Sequence, residues 1–204
     1  MNKRRFQRKH ILLLVLVIIC LALIVFSVTQ AKRIDKMESL ASSDLKYDTD
    51  QLLLSCDFVL RNLENGTDGE LNETALWYYT DELSIMLHNL QRHGGMYAQL
   101  ISDDPNYARG YHTSNNLTLV QLIQECRLIA RGFNSLDAHQ QETYRNFMIP
   151  LVAQMQQSFT YSEDAADLAS QLAFIDNGWK QLYDYMDDNG IWDDFFANIN
   201  GLGQ

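Results

Sequence analysis

Proline is scarce in this chain, at Pro105 and Pro150 only among 204 residues. Alternating runs of β-branched residues are also scarce, which leaves little from which to build a sheet. Apolar residues recur instead at intervals of three and four, the period of helices with one buried face, so the expected fold is all-α. Cysteine is limited to Cys20, Cys56 and Cys126. One pair beyond the N-terminal region is no disulfide framework, and a packed core must supply most of the stability.

Several chemical motifs are missing. There is no HExxH, no paired CxxC, no G-x-S-x-G elbow and no glycine-rich phosphate loop. No catalytic residue, metal ligand or cofactor is therefore assigned, and an enzyme is not expected. His88 and His93 stand five apart, about 140° round a helix, which is a poor spacing for a shared metal. His139 and Glu142 would share a face, but a pair of this kind reads more simply as a surface hydrogen bond.

Positive charge is missing from most of the chain. Eight of the sixteen basic residues lie at or before Lys36, whereas every acidic residue except Asp35 follows it, leaving a net charge of −17 beyond Lys36. Nucleic acid is excluded as a partner, because it needs clustered Lys and Arg to displace counterions from phosphates. Lying flat on anionic lipid is disfavoured for the same reason.

What the chain does possess is one long apolar run, "ILLLVLVIICLALIVFSV", from Ile11 to Val28, uncharged and with only Ser27 polar. At about 1.5 Å per residue it reaches about 27 Å, and Thr29 to Ala31 complete a crossing of the roughly 30 Å hydrocarbon layer. A cleaved signal peptide would have a shorter run, of about 7–15 residues, ending in small residues. "TQA" before Lys32 is a poor cleavage site, so an uncleaved anchor is the expectation. Lys3, Arg4, Arg5, Arg8 and Lys9 precede the run, against Lys32, Arg33 and Lys36 after it, which orients the N-terminus towards the cytoplasm. The expected organisation is a basic cytoplasmic tail over 1–10, a transmembrane signal-anchor helix over 11–31 and an extracytoplasmic acidic domain over 32–204.

That domain reads as an up-and-down bundle of four to five main helices plus a short C-terminal one. The first carries the stripe Ile34, Met37, Ala41, Leu45, Leu52, Cys56, Val59 and Leu63, which advances by threes, fours and a single seven, with loosening expected at "KYDTD". The second runs from Asn72 as cap to a stop at Gly94-Gly95. The third spans about Leu117 to Phe133, capped by Asn115 or Asn116. A fourth begins near Asp137 and is kinked at Pro150. The fifth starts at Ser162, with a break expected at Asn177-Gly178. Cys56 and Cys126 fall on apolar faces of the first and third helices, where one disulfide or two buried thiols would fit equally.

The stretch "YDYMDDNGIWDDFF" resembles a calcium loop only superficially. With Gly190 at position 6, Tyr185 falls at position 1 and Phe196 at position 12, so both end ligands are missing. The better reading is a helix stop at Asn189-Gly190, then Asp193 and Asp194 in the first turn of a new helix pinned by Trp192, Phe195 and Phe196. The candidate interaction loop is "SDDPNYARGYHTSNN", with Tyr107, Arg109, Tyr111 and His112, since long loops are often functional and Tyr and Arg are favoured contact residues. Asn65, Asn72 and Asn116 head N-x-T sequons, which matter only in a host that glycosylates.

The functional expectation is a single-pass membrane protein whose bundle serves as a non-catalytic interaction or assembly module outside the cytoplasm, with the membrane through residues 11–31 and a protein as partners. A ligand-sensing bundle working with a membrane partner, taking a small molecule, is the alternative; an enzyme acting on envelope components is the third.

Overall fold

The computed structural model describes residues 2–65, 71–101, 114–160 and 167–202. The described residues are helical throughout apart from turns, and no strand occurs among them. The chain forms two compact units, Met1–Leu40 and Ala41–Gln204. The first is the N-terminal part of helix α1 (Asn2–Asn65), long and apolar enough to cross a membrane. Its apolar side chains from Leu13 to Val28 are exposed, as are Ile34 and Met37, which sequence periodicity had assigned to the core stripe.

The second unit is an all-α bundle. It contains the remainder of α1, α2 (Glu73–Ile101), α3 (Ser114–Ala130), α4 (Ala138–Ser158), α5 (Leu168–Asp188) and α6 (Ile191–Asp194). A 3-10 turn at Phe133–Ser135 joins α3 to α4, and a π-helical turn at Phe195–Ile199 follows α6. From Ala41 onward the α1 stripe is buried as expected: Ala41, Leu45, Leu52, Cys56, Val59 and Leu63 all face the core. Phe58 of α1 stacks on Tyr79 of α2 with centroids 4.2 Å apart. Tyr144 of α4 donates from its hydroxyl to the Cys126 carbonyl on α3 at 3.0 Å and meets Phe133 edge to face.

Helix starts follow local chemistry. Asn72 Oδ1 accepts from the Ala75 amide at 3.0 Å, the expected cap of α2. Asp137 and Gln140 form a reciprocal capping box on α4, which then continues through Pro150 with the ring on the exposed side. The cap of α5 is Asp167, which accepts from the Ser170 amide at 2.7 Å. The sequence assignment had been Ser162, which lies outside the described residues. The third helix begins at Ser114, so Asn115 and Asn116 are inside it, and it ends at Ala130 instead of Phe133.

Three expected interruptions are absent, each for a tertiary reason. "KYDTD" is continuous helix, with Asp48 buried opposite His93 of α2, Oδ2 2.6 Å from Nδ1, while within α1 itself Thr49 Oγ1 donates to the Leu45 carbonyl at 2.8 Å. The glycine pair 94–95 does not stop α2, which continues to Ile101 with Tyr97 and Ala98 packed inside. Asn177-Gly178 does not break α5, because Gly178 is a contact point. A β-carbon there would lie 2.7 Å from the Ser158 carbonyl oxygen and 2.9 Å from the Phe159 ring. The middle of α5 thus crosses the C-terminal end of α4, and Trp179 meets Phe159 edge to face at 5.3 Å.

The second Asn-Gly does act as a stop. Gly190 has φ 61° and ψ 31°, the left-handed conformation, and Asp193 and Asp194 follow in the first turn of α6. Ile191, Phe195 and Ile199 bury themselves, with Phe195 6.0 Å from the Phe147 ring. Phe196 is the exception: at 65% exposure it does not pin the helix.

Candidate functional site

The most chemically loaded cluster within the bundle joins α1 to the C-terminal half of α2. Asp48 lies in the single seven-residue gap of the α1 stripe, between Leu45 and Leu52, so helical periodicity turns it inward. It is 3% exposed. A carboxylate so placed requires a partner, and His93 supplies one, with Nδ1 2.6 Å from Asp48 Oδ2. One turn further along each helix in opposite directions, the Tyr97 hydroxyl donates to Asp44 Oδ2, also at 2.6 Å. The His93 and Tyr97 rings stack at 5.6 Å. Two pairs at matched four-residue spacing are what antiparallel helices produce.

The electrostatics follow from burial. Removal from water raises the Asp48 carboxyl above the ordinary aspartate range; the His93 hydrogen bond and charge oppose this, and the neighbouring Asp44 charge adds to it. Burial, then the hydrogen bond to Asp44, pushes the Tyr97 phenol up to about 12, so it remains a donor at physiological pH.

A second feature occupies the opposite end of α2. There Asn134 donates from its amide to Glu73 Oε2 at 3.0 Å, fixing the α3–α4 turn against the start of α2. Beside this turn opens a cleft of about 530 Å³, lined by Leu128, Ile129, Leu136 and Leu202 and by polar residues that include Glu125 and Asn200. Leu128 is 54% exposed although it is a large apolar residue. Further up α3, Arg127 pairs with Asp81 of α2 at 2.8 Å.

The residues singled out from sequence are placed as follows. Tyr107, Arg109, Tyr111 and His112 lie outside the described residues, which end at Ile101 and resume at Ser114. Cys56 and Cys126 are both free and buried, and burial pushes both thiols well above the ordinary cysteine range, which makes them inert core residues. Asp184, Asp187, Asp188 and Asp193 are exposed and Asp194 is half-buried. No group of three or more His, Cys, Asp or Glu among the described residues is arranged to hold a metal ion. His93 and Asp48 were missed as a pair because they stand 45 residues apart. The available signal was the seven-residue gap in the α1 stripe, which an aspartate fills. No protein-family description, curated protein or solved structure matches this chain.

Proposed function

We propose that the chain is a single-pass membrane protein, N-terminus in the cytoplasm, whose acidic helical bundle is a non-catalytic interaction or assembly module on the far side. The observation that carries this reading is the uncharged run from Ile11 to Val28, whose side chains from Leu13 onward are exposed along α1. An apolar surface of that length is stable in water only when covered, and hydrocarbon covers it at no cost to a helix whose backbone is internally bonded. Five basic residues before the run, against three shortly after it, support the orientation.

The bundle supports the module reading in two ways. The buried thiols and phenol of its core are held by burial in forms unsuited to nucleophilic chemistry. Its surface keeps large apolar residues in water, Leu128 beside the cleft and Leu54 on α1 among them. Arg109 and Tyr111 remain the contact residues expected in the connection between α2 and α3. A pull-down from detergent with the bundle as bait tests this. Arg109→Ala with Tyr111→Ala should reduce capture of the partner while leaving the melting temperature unchanged; undiminished capture would remove the loop from the account.

A ligand-sensing bundle is the second reading, favoured by one observation. The cleft beside Leu128 falls within the roughly 300–1,000 Å³ range of small-molecule sites. Thermal shifts of the bundle across a metabolite panel separate the two readings.

A further inference from the structure

We propose that the Asp48–His93 pair is a pH-operated latch that keeps the last two turns of α2 helical, releasing them at Gly94-Gly95 when the pair loses its shared proton. The two glycines follow His93 directly, and each costs about 1 kcal/mol relative to alanine inside a helix. Glycine is also the favoured residue just beyond a helix end. The intrinsic preference of this segment is therefore to stop where the sequence stops it, yet α2 continues to Ile101. The side-chain hydrogen bonds described between this part of α2 and α1 flank the glycines, His93 to Asp48 before them and Tyr97 to Asp44 after them. Two arrangements of one element then compete: α2 complete and clasped, or α2 ended at the glycines with its last turns released.

The charge of the clasp decides between them. Asp48 faces His93 across the helix interface and Asp44 one turn back on its own helix, and Tyr97 faces both carboxylates. While the pair holds one proton, the buried site is neutral overall and its hydrogen bond is intact. Once that proton leaves, a buried carboxylate stands without a counter-charge beside a second carboxylate, which penalises the clasped form alone. Release to water relieves the penalty, so rising pH favours the open form by linkage. Gln91, buried just before the latch with its Oε1 unpartnered, adds an unmet acceptor that opening would hydrate.

Hydrogen exchange of the full-length protein in detergent micelles, corrected for intrinsic exchange rates, tests the latch across about pH 5 to about pH 8. Amides 96–101 should lose protection as pH rises, by up to about tenfold per pH unit, the slope of one linked proton. Amides within α4 should keep theirs. In Asp48→Asn the amide oxygen still accepts from His93 but carries no charge, so protection should be high and flat with pH. His93→Gln leaves the buried Asp48 carboxyl as the titrating partner, with the opposing effect of His93 removed, so its loss of protection should follow a pH profile shifted from that of the natural protein. Constant protection of 96–101 in the natural protein overturns the latch even if neither variant folds. So does loss of α4 protection in step with it, which would mean global opening, or an Asp48→Asn profile with the original slope.

Discussion

A β-carbon on Gly178 would press against the backbone carbonyl of Ser158 at 2.7 Å, an atom that cannot swing aside as a side chain would. Gly178→Ala should therefore destabilise the bundle by about 1–3 kcal/mol, the usual cost of overpacking. Gly132→Ala meets nothing within 4 Å and should be tolerated. Denaturant unfolding of the two variants side by side checks the contrast, and equal midpoints would mean that α5 does not cross α4 as described. Asp48 gives a second prediction at this scale. Its folded carboxyl is raised above the unfolded value, so its contribution to stability is fully present below the unfolded pKa and is lost as pH rises through the folded one. Asp48→Asn should accordingly become more stable relative to the natural protein as pH increases. A stability difference independent of pH, measured by urea unfolding at several pH values, would show that Asp48 carries no burial penalty.

Among the elements, α6 and the π-helical turn after it are short, and their hold on the bundle comes from Ile191, Phe195 and Ile199. Deleting residues 191–204 removes all three from the core. At about 1.5–3 kcal/mol for each large apolar side chain, the loss should be several kcal/mol. A truncated bundle with an unchanged melting temperature would show that the C-terminal turns pack without stabilising. The elements also show what local sequence could and could not reveal. The α1 stripe from Ala41 to Leu63, the Asn72 cap, the start near Asp137 and the stop at Asn189-Gly190 were all legible, because each depends on residues within one or two turns. The continuity of α2 through Gly94-Gly95 and of α5 through Gly178 was not legible, since Asp44 and Asp48 in one case and Ser158 and Phe159 in the other lie far away in the chain. Local propensity marked the right residues in both places and gave the wrong consequence, because tertiary contacts outweigh a cost of about 1 kcal/mol per glycine. Likewise Asp48, an apparent weak point of the first helix, is one half of the clasp only because His93 is brought opposite it.

At the scale of the whole molecule, charge divides the chain into a basic start, an apolar run and an acidic remainder. On the proposed reading, that order gives the anchoring to the run and the work to the residues after it, where a compact unit begins at Ala41. The most direct measurement fuses a reporter enzyme that is active only outside the cytoplasm to Gln204 of the full chain. Activity of this fusion, with inactivity of a matching cytoplasm-dependent reporter, is the result the account predicts. Activity of the cytoplasmic reporter alone would contradict it, and would place the bundle, its clasp and its cleft on the other side of the membrane.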